Sequence, residues 1–253
     1  MPIAIVREIS PELANCELTH LERACIDIEL AVRQHEQYQR ALSSLGCEIL
    51  SLPTQPGLAD SVFVEDTALV LDEVAVICRP GAVSRRKEVP AVRELLTEYR
   101  PIASIDAPGT LDGGDLLRIG KVIYAGLSTR SNAEGIGQLR GIVAEFGYSI
   151  EVVETHGCLH LKSAVSQVAE GVVLINPDWL DRAVFSGYQQ IEVDAREAHA
   201  ANALTLGQNV IYPTSFPHSL DRLLARNIRV TSVDVSELQK AEGAVTCCSL
   251  ILE

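Results

Sequence analysis

The stretch Thr110-Leu111-Asp112-Gly113-Gly114-Asp115-Leu116-Leu117-Arg118-Ile119-Gly120-Lys121-Val122-Ile123-Tyr124-Ala125 contains the unit from which this chain is built. Two apolar runs, 115–118 and 122–125, flank Gly120. Short apolar runs around a glycine read as a β-hairpin, because glycine adopts the positive φ that a tight turn needs. A polar cluster, Asp112 to Asp115, precedes the hairpin. The arrangement recurs. Runs 67–71 and 74–78 flank Asp72-Glu73 and follow Asp60-Ser61-Val62-Phe63-Val64-Glu65-Asp66. Runs 164–168 and 172–175 flank Glu170-Gly171 and follow Leu159-His160-Leu161-Lys162-Ser163. Runs 203–206 and 210–212 flank Gly207-Gln208-Asn209. The spacing, about 40–50 residues, falls in the range of repeat architectures. The last run, 245–252, is expected to pair with an N-terminal strand at 3–6 and complete a fifth unit.

Amphipathic segments at 26–45, 90–99, 133–146 and 219–226 predict helices between these runs. Gly46 and Gly147 serve as stops, and Ser131 and Asn132 are candidate N-caps. A strand at 47–52 follows the first helix. The expected fold is α/β, a ring of five strand-and-helix units closed radially like a propeller around a central channel. An open α/β sheet is the alternative. No linker or low-complexity stretch interrupts residues 1–253, which read as one domain.

The 253 residues are 47% hydrophobic and carry a formal charge of −13. That is enough apolar material for a sizeable core. The acidic balance disfavours nucleic acid and anionic membrane as partners and weakly favours cationic ligands. No segment approaches the roughly 20 apolar residues of a membrane span. The N-terminus has no basic n-region and reads as a first strand rather than a signal peptide. The seven cysteines are odd in number and show no framework spacing, as reduced thiols in a cytoplasmic protein would. No CxxC pair occurs and the six histidines are scattered, so no metal is expected.

If the units are related by rotation, their polar leaders face one axis. Carboxylates, His160 and the Cys247-Cys248 pair then converge. Each feature alone has an ordinary reading. Paired cysteines are usually small core residues, and in a strand at most one of them faces a given side. His160 between two leucines suits a half-buried structural histidine. Glu65-Asp66 suits a strand end, Gly113-Gly114 a plain turn, and Arg85-Arg86-Lys87 a solvated helix start. Joint placement raises the catalytic reading. A cysteine is a nucleophile as thiolate, which a nearby histidine or a bound cation favours. Acids without basic companions suit a cationic substrate, and a guanidinium fork matches carboxylates.

The motifs RQHEQY (33–38), DSVFVED (60–66), RPGAVSRRKEV (79–89), TLDGGD (110–115), GLSTRSNAEG (126–135), LHLKS (159–163) and VTCCS (245–249) resemble those of the dimethylarginine dimethylaminohydrolase family, in the pentein superfamily. The resemblance spans nearly the whole chain. It implies a five-fold pseudo-symmetric α/β propeller that hydrolyses asymmetric dimethylarginine or monomethylarginine to citrulline and a methylamine, with no metal or cofactor. Its partner is then a small cationic amino acid, and a homodimer is compatible with it. By position, the resemblance makes Cys247 the nucleophile and His160 the acid–base residue, with Asp112 orienting His160. Asp66 and Glu65 match carboxylates near the guanidinium and amino ends, and Asp60 one near the α-amino group. Arg85 and Arg130 match the pair that grips the α-carboxylate. Leu18 matches a lid residue and the Ala241 backbone an α-amino contact. Relatives often read AANC where this chain has Ala200-Ala201-Asn202-Ala203. A hydrolase of unmethylated arginine is the nearest rival, although larger arginine deiminases carry an added helical domain. A non-catalytic propeller and an amidinotransferase are the others.

Overall fold

The computed structural model describes residues 1–253. Fifteen strands form five three-stranded sheets of one topology. The first sheet holds β1 (Ile3–Arg7) and β2 (Glu48–Leu52), and the second β3 (Ala68–Val70), β4 (Ala75–Ile77) and β5 (Ile102–Ser104). The third holds β6 (Leu116–Ile119), β7 (Val122–Leu127) and β8 (Ser149–Glu154), and the fourth β9 (Val165–Ala169), β10 (Val172–Ile175) and β11 (Gln189–Glu192). The fifth holds β12 (Leu204–Leu206), β13 (Asn209–Pro213) and β14 (Arg229–Val233), and β15 (Leu250–Leu252) joins the first. Each middle strand pairs antiparallel with its hairpin partner and parallel with the third strand. In the first sheet β15 takes the hairpin place beside β1, so the two chain ends share one sheet.

Parallel neighbours need a crossover, usually a helix. The crossovers are α1 (Ile28–Ser44), α2 (Val89–Leu96), α3 (Ala133–Ala144) and, in the fifth unit, α5 (Pro217–Leu224), with one-turn α4 (Leu161–Ala164) and α6 (Ser236–Gln239) elsewhere. The fourth unit makes do with a 3-10 turn, Arg182–Phe185. Asp27 caps α1 by accepting from the Leu30 N–H, and Asn132 caps α3 by accepting from the Gly135 N–H. Of the two expected caps on α3, Ser131 is not one. Its hydroxyl points inward to Asp115.

The ring closes through its cores. Side chains alternate along each middle strand and feed two different apolar clusters. Ile123 and Ala125 of β7 join the cluster shared with the second sheet, and Tyr124 joins the one shared with the fourth. Val173 and Ile175 of β10 face one way and Leu174 the other. In β1, Ala4 and Val6 meet Leu206 and Ile211 of the fifth sheet, while Ile5 meets Ala75 and Ile77 of the second. Five clusters therefore join five sheets in a cycle, each including side chains from one crossover. Each fully buried Val, Leu or Ile is worth about 1.5–3 kcal/mol, so these seams rather than the short ladders hold the ring. The open-sheet alternative fails on this closure. No helix is long and apolar enough to cross a membrane.

One expectation changes. The run 245–252 is a strand only at Leu250–Leu252, and Cys247 lies in the turn before it. The other polar leaders likewise sit in single helical turns, Val64–Thr67, Gly113–Asp115 and α4. The reason is geometric: a turn at the inner end of a hairpin aims side chains across the axis, where a strand would aim them into the seams.

Candidate active site

The leaders of three units, with Arg130 from the third unit, meet in a narrow cavity of about 20 Å³, room for roughly one water. Asp60, Asp66, Arg85, Arg130, His160, Ala241 and Cys247 all line it. Cys247 is half-buried there, whereas Cys248 is fully buried in an apolar seam with its thiol toward the Ala244 carbonyl at 3.4 Å. The turn bearing Cys247 is braced by α1. Tyr38 Oη lies 2.8 Å from the Val245 carbonyl and 2.7 Å from Ser249 Oγ, on either side of Cys247.

His160 N-caps α4 and is clasped by acids. Its Nε2 is 3.0 Å from Asp112 Oδ2 and its Nδ1 3.8 Å from Asp66 Oδ1. Asp112 is fully buried behind it and fixed by the Gly81 N–H at 2.8 Å, as an orienting group should be. Asp115, at the end of the same turn, accepts from the Leu161 N–H at 2.9 Å and from Ser128 and Ser131 hydroxyls at 2.6 Å, which anchors α4. Burial opposes charging His160, yet Asp66, Asp112 and Asp115 outweigh it and raise its pKa to about 9. Cys247 moves the other way from a nucleophile's needs. Burial first, then the charges of Glu65 and Asp66, push its thiol up to about 12. The resting pair is therefore thiol and imidazolium.

Gly113 and Gly114 are required by close approach. A Cβ on Gly113 would stand 1.9 Å from the Glu65 carbonyl oxygen, and one on Gly114 2.6 Å from His160 Nδ1. The pair that reads as a plain turn is the spacing device that lets the second and third units touch. The Gly114 N–H also donates to Asp66 at 2.9 Å.

The acids are not without basic companions, contrary to the sequence reading. Arg85 is buried, not solvated. It donates to Asp66 at 2.5 Å, Glu88 at 2.8 Å and the Phe63 carbonyl at 2.9 Å, which leaves one Nη1 hydrogen for a ligand. Burial would raise the Asp66 pKa, but His160 and Arg85 hold it well below the usual carboxylate range. Glu65 does not line this cavity; its side chain faces the central channel of about 420 Å³, paired with Lys162 and accepting from Thr246 Oγ1 at 2.7 Å. No cysteine lines that channel.

The segment after the 3-10 turn Leu13–Asn15 covers the reaction cavity. The Glu17 N–H donates to both Asp60 oxygens at 3.2 Å, and Arg130 donates to Thr19 Oγ1 at 2.9 Å. Glu242, in a left-handed conformation with φ 58°, accepts from the N–H groups of Thr19, His20 and Leu21 at 2.9, 2.5 and 2.6 Å. Leu18 does not line the cavity but packs with Cys247 against the seam below. An arginine-sized ligand fits only once this lid moves. Sequence reading overlooked Glu17, Lys162, Asn202, Glu242 and Thr246, all of them inside or beside the quoted motifs or on the lid. Asp66, Asp112 and His160 could bring ligand atoms within 4.8 Å of one another around a cation, but an imidazolium cannot ligate.

The family model described as "N,N dimethylarginine dimethylhydrolase, eukaryotic" matches residues 19–252. A curated dimethylarginine dimethylaminohydrolase from Streptomyces coelicolor is 38% identical over 250 residues, 98% of this chain and 96% of its own. The Pseudomonas aeruginosa enzyme of that name is 36% identical over 226 residues, 88% of this chain and 89% of its own. A solved P. aeruginosa structure, a mutant complexed with citrulline, superposes with a TM-score of 0.94 at 34% identity over 98% of both chains. A solved dimethylarginine dimethylaminohydrolase, a mutant holding an adduct with S-methyl-L-thiocitrulline, superposes with a TM-score of 0.93 at 34% identity over 98% of both chains. The N-terminal domain of the arginine dihydrolase ArgZ, at 19% identity and TM-score 0.89, shares the fold. With seven expected site residues around one cavity in a closed five-unit ring, the chain belongs to the dimethylarginine dimethylaminohydrolase family and has its pentein fold.

Proposed function

We infer that the chain hydrolyses Nω,Nω-dimethyl-L-arginine and monomethylarginine to L-citrulline and dimethylamine or methylamine. The observation that carries this is the half-buried thiol of Cys247, which shares a cavity with an acid-clasped imidazolium and with Asp66. The substrate's cation sits against Asp66 and beside Cys247. A charge 4 Å from the sulfur at an effective dielectric of 20 is worth about 4 kcal/mol, which is about three pKa units. The guanidinium itself thus brings the thiol from about 12 to about 9, which raises the thiolate fraction at pH 7 about 1,000-fold, to about one molecule in 100. The proton is lost to solvent, since His160 already holds one.

The thiolate forms an S–C bond to the guanidinium carbon. The C–N bond to the methylated nitrogen then breaks as His160 donates its proton, and a thiouronium adduct remains. Neutral His160 takes a proton from water, whose oxygen bonds to the carbon, and the C–S bond breaks to release citrulline. One residue acting as acid and then base suits a pKa near the working pH.

Citrulline release from dimethylarginine, monomethylarginine and arginine, assayed side by side, tests the reading. Higher kcat/KM for the methylated substrates is expected. Pockets discriminate a methylene-sized difference by only about 10–200-fold. Arginine as the preferred substrate would assign the unmethylated chemistry instead.

We further assign Asp60 to the α-amino group, Arg130 to the α-carboxylate and the Ala241 backbone to the same end. Arg130→Ala should raise KM about tenfold or more with kcat little changed, since it grips a non-reacting part of the substrate. Arg85→Ala should lower both kcat and melting temperature, because it strands buried Asp66 and Glu88. Steady-state kinetics with thermal melts separate the two; equal KM effects without loss of stability would make both arginines simple carboxylate clamps. The seven free cysteines suit a reducing compartment, the cytoplasm.

A further inference from the structure

Four units send a chemically active side chain to the axis. The fifth sends an amide. Asn202 lies two residues before β12, as Asp66 lies two residues before β3. It is 3% exposed and does not line the reaction cavity. Its Oδ1 accepts from the Thr246 N–H at 3.1 Å. Its two Nδ2 hydrogens go to the Lys162 carbonyl at 3.1 Å and to Thr246 Oγ1 at 2.9 Å. Thr246 Oγ1 passes its own proton to Glu65 at 2.7 Å, and Glu65 pairs with the Lys162 ammonium. The cycle Asn202–Thr246–Glu65–Lys162 is closed, with its first three members buried and Lys162 half-buried at the channel wall. The Glu65 N–H adds a bond to the Cys247 carbonyl at 3.1 Å.

We propose that Asn202 is a positioning residue for catalysis: its amide fixes the turn carrying Cys247 against the turn carrying His160, and so sets the approach of the sulfur to the guanidinium carbon. The proposal rests on Cys247 being the nucleophile. Thr246 adjoins Cys247 in sequence, and Lys162 is two residues from His160. The link between them needs one acceptor and two donors on a short side chain, which asparagine supplies. Aspartate would set a carboxylate against the Lys162 carbonyl and add negative charge beside the thiol. Alanine would leave a buried N–H and carbonyl unpaired. Glu65 acquires a role in this cycle as well, as the acid that holds Thr246 rather than a substrate contact. A misplacement of about 1 Å can cost about 100-fold in rate without touching binding groups.

The test uses the full chain. In Asn202→Ala, Asn202→Asp and Thr246→Val, kcat for dimethylarginine should fall about 10- to 100-fold while KM stays within about threefold. Alkylation of Cys247 by 2-chloroacetamidine should slow in parallel, and its pH profile should move upward in Asn202→Asp. Thr246→Ser, which keeps the hydroxyl, should retain near-normal kcat. Thr246→Val is nearly isosteric, so it decides the matter if the Asn202 variants fail to fold. Full kcat in folded Thr246→Val, or losses confined to KM, would overturn the proposal. Cys247→Ser runs alongside: if it still turns over, the nucleophile reading fails; if it is dead while the Asn202 and Thr246 variants are unimpaired, only the positioning role fails.

Discussion

Cys247→Ser is expected to abolish citrulline formation, at least 1,000-fold below the unmodified chain, while Cys248→Ser keeps most of its activity. The two residues adjoin in sequence but occupy different environments. Cys247 opens on the cavity with Asp66 and His160, whereas Cys248 is fully buried among apolar side chains. A thiol of pKa about 12 is ionised in only about one molecule in 100,000 at pH 7. Neutral alkylating agents should therefore label Cys247 slowly at pH 7 and faster as pH rises. A cationic amidine carrying the same leaving group should label it much faster, because its charge stabilises the thiolate as substrate does. A serine hydroxyl, with a far higher pKa, gains too little from that charge to ionise. Peptide mapping by mass spectrometry reads both outcomes and separates Cys247 from the exposed Cys25. An active Cys247→Ser enzyme, or a neutral reagent as fast as the cationic one at pH 7, would sink this account. Cys248→Ser adds a small buried hydroxyl to the seam, so its expected cost falls on thermal stability rather than on kcat.

The hairpins around Asp72-Glu73, Gly120, Gly171 and Gly207 were legible because each strand pair is short, apolar and punctuated by turn residues. Of the third strands, 47–52 was legible and β5, β8, β11 and β14 were not. β8 alternates as Ser149-Ile150-Glu151-Val152-Val153-Glu154, with Ile150 and Val153 buried and most of the rest exposed, which is too weak a pattern to separate from a loop. β11 and β14 have the same edge character. Within the site, the polar leaders made a convergence of carboxylates, His160 and a cysteine expected, while the choice of Cys247 and the roles of Asp66 and Asp112 came from the family resemblance. What each side chain faces was not legible. Glu65 and Asp66 are consecutive in one helical turn, and that turn sends one to the channel and the other to the cavity. Arg85 stands in a basic run that looks solvated, and only the folded ring reveals Asp66 and Glu88 around it. Asn202 has no charge or nucleophile to draw attention, so its contribution exists only through Thr246 and Lys162, which are 44 and 40 residues away in sequence.

His160→Gln should stall the reaction in a way that depends on the leaving group. With a pKa of about 9, His160 is mostly imidazolium at pH 7, and a dimethylamide cannot depart unprotonated. Loss of a general acid typically costs 100- to 10,000-fold, and the larger end is expected with dimethylarginine. A thiol is a far better leaving group. With S-methyl-L-thiocitrulline the first step should survive in His160→Gln, while the second, which needs His160 as base, should fail. The adduct on Cys247 should then accumulate and appear by intact mass. In the unsubstituted enzyme the same proton inventory predicts that activity on dimethylarginine falls as pH rises through about 9. That limb should be absent for formation of the thiocitrulline adduct. Stability follows with a definite sign. The folded pKa of His160 lies above its ordinary value of 6.5, so the imidazolium's contribution is complete below pH 6.5 and is lost as pH rises through about 9. Melting temperature should decline over that interval in the unsubstituted chain and decline less in His160→Gln. Turnover of dimethylarginine within tenfold of normal by His160→Gln, or no adduct from the thiocitrulline, would assign the proton transfers to another group. Asp66 is the one remaining titratable side chain in contact with both His160 and the cavity, and its lowered pKa makes it a poor acid at neutral pH.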